Sequence, residues 1–349
     1  MPGRRRTPDT TVAIAFEIAG GQSNAVLVDR QGVIRQRCSA RTLRGRPVAA
    51  TLEPFLRAID DLLAQAATLG WRVSGLGISV PGTLDDTARR LRIVPILPSL
   101  NDFPLCDLLE ARYALPARLC VDVDAALSGE YAYGAGKGYQ RLLYLTLNAV
   151  AGAAFAVGGE PDQSVQAGIG HVAHLPIATS GPRCSCGKRG CINSLLSLEA
   201  IQKMALRTLQ RAEETGTTGT PGSRVYRGSF SPRLLAEEAM QGDPVALRVY
   251  EEIGRWLGAA VARYSNLFQP DALILAGSVL SANEVLFASI QSTLMMHVST
   301  ITHSPLRIVL AHLGNDAALI GAATAFFQFS GGAMHDASPA AMHSAAPQP

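Results

Sequence analysis

The sequence predicts an α/β protein of two lobes that share a cleft, and two observations carry that prediction. With 349 residues, 48% of them hydrophobic and 17% charged, the chain is long enough to bury two cores and has an ordinary soluble composition. Stretches of strand character followed by helical spacing run to about residue 133 and begin again near residue 142. The same order of elements is therefore read twice, as expected for two packed α/β lobes.

Residues 12–18 form an apolar run broken only by Glu17; Gly20-Gly21, residues 25–29 and the Gly32 turn lead to a third short stretch at 34–38. These read as consecutive antiparallel strands. Residues 54–69 carry Phe55, Ile59, Leu62 and Leu63 at helical spacing, and the strand expected at 73–80 runs into Pro81-Gly82. A helix at 105–112, a strand at 118–123 and a helix at 125–133, capped by Asp124, follow. The second set comprises strands at 142–147 and 151–157, a helix at 195–213, a long helical region at 231–269, strands at 272–275 and 306–311, and a last helix at 316–327. The expected organisation is a flexible basic tail (1–11), an N-terminal lobe (12–124), a larger C-terminal lobe (125–315) holding a cysteine loop at 171–191, a final helix returning to the first lobe (316–329) and a disordered tail (330–349). Residues 213–229, rich in Gly, Thr and Ser, read as an exposed loop, and His335 and His343 in the tail carry no site.

The net charge is +3, and its clearest cluster, Arg4-Arg5-Arg6, reads as solvated tail. Nothing resembles a nucleic-acid footprint. The apolar run after it holds Glu17 and stops at a glycine pair, too short and too polar for a signal peptide or a membrane span, so a cytoplasmic location is expected. In a reducing compartment Cys38, Cys106 and Cys120 are expected as free thiols, whereas clustered cysteines suggest a metal.

Cys184, Cys186 and Cys191 are such a cluster, with Gly187 and Gly190 between them. Three thiolates in one loop need a fourth ligand to close a zinc tetrahedron. His171 is the first candidate and His174 its rival. The competing readings are a loop of free thiols and, less suited to the compartment and the odd count, a disulfide. No position is left open for substrate, which makes the expected zinc structural.

The stretch "GIGHVAHLPI…CSCGKRGC" resembles the signature of the ROK family (repressor, open reading frame, kinase), in which a Gly-His pair and a Cys-x-Cys-Gly-x-x-Gly-Cys loop hold one zinc beside a sugar site. "GISVPGTLDD", "LLEARYALPARLCVDVDAALSGEYAYGAGKG" and "GDPVALRVYEEIGRWLGAAVARYSNLFQPDALILAG" are similar to further family segments in the same order. The resemblance implies the actin-like ATPase, ribonuclease-H-like fold of two-lobe sugar kinases, zinc on His171, Cys184, Cys186 and Cys191, and, in active members, ATP and Mg²⁺ with a carboxylate that takes the proton of a sugar hydroxyl.

Compared with the family pattern, some parts are kept and others replaced. The base position of the family's Asn-Asp-Ala-Asn stretch falls on Asp122, while its first Asn is Val121. The first phosphate turn, Asp-Ile-Gly-Gly-Thr-Lys in the family, is "EIAGGQ", which keeps an acid in Glu17 and the flexible Gly20 and Gly21 but loses the Thr and the Lys. The second, Gly-Thr-Gly-x-Gly-x-Gly, is "NAVAGAA" and keeps only Gly152; each lost glycine adds a Cβ where backbone must approach phosphate. Gly277 is kept at the adenosine end. On the sugar side the resemblance implies roles for Gly82, Asp122, His171 and Asn193, with Gly168 and Asn193 standing where the family has glutamates. These replacements lead to the expectation of a carbohydrate-binding, sensing or regulatory member, forming a homodimer, with kinase activity reduced or lost. The alternative is an active hexose or amino-sugar kinase using Asp122. A regulator of the same family would need a helix-turn-helix domain before the sugar-binding part, so direct DNA binding is not expected.

Overall fold

The computed structural model describes residues 10–158, 160–161, 172–215, 230–281, 283–297 and 306–332. Residues 1–9 of the basic tail, Gly168, His171, most of the 213–229 loop and residues 333–349 of the C-terminal tail lie outside the described residues.

Two five-stranded sheets organise the chain. The first contains β1 (Thr11–Glu17), β2 (Gln22–Asp29), β3 (Ile34–Arg41), β4 (Arg72–Val80) and β7 (Ala117–Val121), in the order β3-β2-β1-β4-β7. β1 to β3 pair antiparallel, whereas β4 and β7 add in parallel. The second sheet repeats this arrangement with β8 (Arg141–Leu147), β9 (Ala151–Val157), β10 (Glu160–Pro161), β11 (Ala272–Ala276) and β12 (Arg307–Leu310), ordered β10-β9-β8-β11-β12. Here too the leading strands are antiparallel and the last two parallel. A two-stranded ribbon, β5 (Thr83–Leu84) and β6 (Leu91–Ile93), follows β4.

The alternation of β1 explains how its sheet is covered on both faces. Val12, Ile14 and Phe16 pack with Leu52, Phe55, Ile59 and Leu62 of α1 (Val48–Thr68). Ala13 and Ala15, pointing the other way, meet Leu319, Ala322, Ala323 and Phe326 of the chain's last helix. Small residues on this face let that helix approach closely, and glycines extend the effect: a Cβ on Gly77 of β4 would lie 2.2 Å from the Ala322 carbonyl oxygen. In the second lobe Leu143, Leu145 and Leu147 of β8 face the main helical core, while Leu142 and Tyr144 face α3 (Asp122–Tyr133).

The remaining helices are α2 (Leu105–Tyr113), α4 (Ile192–Leu196), α5 (Leu198–Glu214), α6 (Pro232–Met240), α7 (Pro244–Phe268), α8 (Asn283–His297) and α9 (Ala317–Gly332). α9 packs on α3 as well as on the first sheet. At their crossing a Cβ on Gly321 would stand 1.6 Å from the Ala125 carbonyl oxygen, and one on Gly129 would stand 2.5 Å from that of Ala317. The two backbones touch there.

Three expectations are corrected. The long helical region at 231–269 is two helices, because Gly242 adopts φ +83° and the buried Asp243 caps α7 by accepting from the Val245 and Ala246 N–H groups, with Pro244 in the first turn. Ser197 similarly divides α4 from α5, accepting from the Ala200 N–H. The helix expected at 125–133 begins at Asp122, directly after β7, so Asp124 lies inside its first turn and caps nothing; Val121 occupies the cap position without a side-chain bond.

Candidate functional site

A cleft of about 630 Å³ opens between the two sheets. Both sheets contribute to it: the end of β1 and the start of β2 from the first, and the ends of β8 and β11 from the second. Among the expected site residues Glu17, Asp122 and Gly277 line it together. Ala19 and Gln22, on either side of Gly20-Gly21, line it too. Gly82, Gly152 and Asn193 are not among its lining residues.

Its electrostatics are acidic. Burial, then the neighbouring Asp122 and Asp316 carboxylates, push the Glu17 carboxyl up to about 7, against a smaller opposing pull from Arg37. Burial pushes Asp122 up to about 6, although its Oδ1 accepts the Val123 N–H at 2.8 Å. Asp124, behind it and only 7% exposed, is pushed up to about 7 by burial and then by Asp122. Among the described residues no lysine or arginine lines the cleft; the nearby Arg37 is engaged with Asp316 at 2.6 Å. A carboxyl that titrates near neutrality at a strand-to-helix junction has the proton affinity of a general base.

The two turns differ in how they are held. In the first, the Ala19 N–H donates to Ser23 Oγ at 3.1 Å, Thr42 Oγ1 donates to the Ala19 carbonyl at 2.7 Å, and the two hydroxyl oxygens lie 2.9 Å apart. This fixes the turn between β1 and β2 from both sides. In the second, residues 148–150 contain no glycine and no positive φ. Gly152 lies beyond it, within β9, where a Cβ would meet the Val123 side chain at 2.6 Å. Its glycine character serves packing of β9 on α3. Gly277 needs its φ of +117° to pass Leu147, whose carbonyl oxygen would lie 2.2 Å from a Cβ, and Gly82, at φ +146°, passes the Ile93 carbonyl in the same way.

The cysteine loop assembles beside the second turn. A short helical turn, Val172–His174, delivers His174, and the chain doubles back so that Cys184 N–H donates to the Lys188 carbonyl at 2.8 Å. Gly187 and Gly190 take positive φ around this bend. His174 Nδ1 lies 3.2 Å from Cys184 Sγ, and Cys186 Sγ lies 3.7 Å from Cys191 Sγ. Ligand atoms of all four residues fall within 4.8 Å of one another. Zn–S bonds of about 2.3 Å in a tetrahedron set sulfur atoms about 3.8 Å apart, so this donor set fits one metal such as zinc. His174 stands with the three cysteines, in the corner for which His171 was the first candidate. Counting three residues back from His174 reaches His171 rather than Gly168.

Asn193, at the close of this loop, is committed elsewhere: its Oδ1 accepts the Ala151 N–H at 3.1 Å, and the Leu198 N–H donates to the Asn148 carbonyl at 3.2 Å. The cysteine loop is thus tied to the second turn. Sequence reasoning did not single out Tyr144, Asn24 or Asn315, all of which line the cleft. Tyr144 alone carried a signal, as a polar-tipped aromatic on the second face of an otherwise aliphatic strand.

Comparison with known proteins agrees with this geometry. The family model of the ROK family matches residues 13–328. A glucokinase of Thermotoga maritima is 28% identical over 325 residues, covering 91% of this chain and 98% of the relative. The xylose repressor of Bacillus subtilis is 23% identical over 88% of this chain, which spans 75% of the repressor. The solved structure of a ROK family glucokinase from Streptomyces griseus in complex with glucose and AMPPNP superimposes with a TM-score of 0.73 at 26% identity, over 90% of this chain and 98% of that one. A ROK family transcriptional regulator, a homologue of the Escherichia coli MLC protein, shares the fold with a TM-score of 0.81 at 22% identity, over 90% of this chain and 77% of that one.

Proposed function

The chain belongs to the ROK family and is sugar-kinase-like, and from that premise we propose that it binds a carbohydrate-type ligand in a sensing or regulatory role, with phosphoryl transfer from ATP reduced or lost. One observation carries the reading: the cleft presents Glu17 and Asp122 and, among the described residues, no lysine or arginine, while the turn at 148–150 has no glycine. A nucleotide triphosphate with Mg²⁺ supplies a transferable phosphoryl group, and its negative charge is ordinarily met by cations and close backbone N–H groups. These residues fit it only in part. A neutral polyol does not depend on those cations, and the acidic groups suit its hydroxyl donors.

The metal corner supports the same reading from the structural side. His174, Cys184, Cys186 and Cys191 would hold zinc as a closed site that shapes the wall beside the second turn. Catalytic chemistry at the metal is not part of this reading.

A second reading, an active ATP-dependent hexose or amino-sugar kinase, is favoured by Asp122, whose carboxyl lines the cleft and, titrating near 6, could accept the proton of a sugar hydroxyl. A coupled assay of ATP turnover against a panel of hexoses and amino sugars, run with wild type and Asp122→Ala, separates the two. Sugar binding without turnover is the expected result. Sugar-dependent turnover that Asp122→Ala abolishes would overturn the first reading and establish the second.

A further inference from the structure

The residues that replace the family pattern at the two phosphate turns are alike in kind. Gln22 stands where the first turn has its lysine, and Asn148 where the second has its first glycine. Both line the cleft, and each brings a carboxamide, a neutral group with donors and an acceptor. They belong to two polar walls. On the first sheet Glu17 pairs with Asn24 across β1 and β2, and Gln22, two residues before Asn24, shares its face. On the second, Tyr144, Thr146 and Asn148 follow at two-residue spacing along the end of β8 and just past it. All six line the cavity. Further along, the same faces carry α9 through Ala13 and Ala15 of β1, and α3 through Leu142 and Tyr144 of β8. Side-chain bonds hold the walls in place. Asn148 Nδ2 donates to Thr146 Oγ1 at 3.0 Å, and the hydroxyl of Tyr144, itself 4% exposed, reaches the same threonine. Asn24 Oδ1 accepts the Ser39 hydroxyl at 2.9 Å. Among the described residues the Asn148 carboxamide oxygen and the NH₂ groups of Asn24 and Gln22 have no protein partner.

We propose that this end of the cleft binds a neutral polyhydroxylated unit between the Gln22–Asn24 and Thr146–Asn148 walls, so that the ligand is a disaccharide or longer saccharide rather than a single hexose. A hydroxyl both donates and accepts, and a carboxamide offers both functions in one plane. A phosphate only accepts, and here it would meet the Glu17 carboxyl and the Asn148 oxygen with no lining lysine or arginine among the described residues. Glu17, pushed up to about 7, is only partly charged at neutral pH and can donate as well as accept. Because Thr146 and Ser39 already orient the two asparagines, little ordering remains to be done on binding. Asp122, to which the resemblance gives contact with a sugar hydroxyl, lines the same cavity. One unit at Asp122 and the next between the walls make a continuous polyol site. The cleft, at about 630 Å³, falls within the roughly 300–1,000 Å³ of sites that enclose drug-sized ligands, which are bigger than one hexose. All of this rests on the reading of the cleft as a carbohydrate site and adds how much of a carbohydrate it takes.

Binding is measured by calorimetry with glucose, maltose, cellobiose, sucrose, adenosine and ATP for wild type, Asn148→Ala and Thr146→Val. Asn148 is exposed and Thr146→Val keeps the side-chain shape, so both variants should fold. The expected result is that wild type binds at least one of the three disaccharides about tenfold more tightly than glucose. Each variant should then weaken that disaccharide about fivefold more than it weakens glucose, the effect of one neutral hydrogen bond. Disaccharides bound no more tightly than glucose, or equal losses for glucose and disaccharide in both variants, overturn the proposal and leave the carbohydrate reading standing. Adenosine or ATP that binds wild type and loses affinity in Asn148→Ala assigns the walls to a nucleotide and overturns it as well. Wild type that binds none of the four sugars sinks the carbohydrate reading, and the longer site with it.

Discussion

Asp124→Asn is expected to stabilise the protein in a manner that depends on pH. Asp124 is 7% exposed, has no hydrogen bond or ion pair among the described residues, and lies near Asp122, which together hold its carboxyl near 7 against 3.8 when solvated. Because the folded-state value is raised, the unfolded chain loses its proton first as pH rises. Stability is therefore highest below about 4, and it falls as pH rises until the folded carboxyl ionises near 7. With 1.36 kcal/mol per unit, a gap of about three units costs about 4 kcal/mol at pH 8, and about 1.5 kcal/mol at pH 5, where only the unfolded form is ionised. Asparagine keeps the shape and removes the charge. Urea unfolding of wild type and variant at pH 5 and pH 8 should show Asp124→Asn more stable at both, with an advantage larger by about 2.5 kcal/mol at the higher pH. An advantage that does not change with pH, or a variant less stable at pH 8, would refute the argument that an uncompensated buried charge is being carried here.

The metal corner offers a direct comparison: His174→Ala and Cys186→Ser should each reduce zinc, measured by atomic emission on protein purified without chelator, from one equivalent to a small fraction, while His171→Ala should retain it. Retained zinc in His174→Ala would return the fourth ligand to His171. Asn193→Ala leaves the buried Ala151 N–H without its acceptor and should cost about 1 kcal/mol, read as faster amide exchange at Ala151 than in wild type.

The fold was legible because hydrophobic periodicity in this chain is strong where elements are buried. β1 announced itself through six consecutive residues that turn out to be buried, and α7 through a stripe running from Val245 to Tyr264. What pattern could not show was punctuation and placement. Breaks at Ser197 and Gly242 depend on side-chain oxygens and backbone dihedrals that do not disturb apolar spacing. α8, whose apolar residues are spread around the helix rather than along one stripe, gave no helical signal. At the site, the structure places Glu17 and Asp122 on the cleft and gathers the three cysteines in one loop. The resemblance implied His171 as the fourth ligand, whereas among the described residues it is His174 that stands with the cysteines, a choice that depends on how the chain enters the bend. Nor could it show that Gly152 and Asn193 serve packing and backbone bonding, since a residue kept or replaced in a motif does not report which neighbour it faces.

The contact of α3 with α9 at Gly129 and Gly321 has a kinematic consequence. α3 lies against the second sheet and α9 against the first, so the angle between these helices fixes the angle between the walls of the cleft. Where two backbones touch, no layer of side chains is available to shear, and any change in that angle is a rotation about the point of contact. Displacement then grows with distance from this pivot. The cleft mouth, at the far end of the lever, moves most, and Gln22 would travel with the first sheet while Asn148 travels with the second.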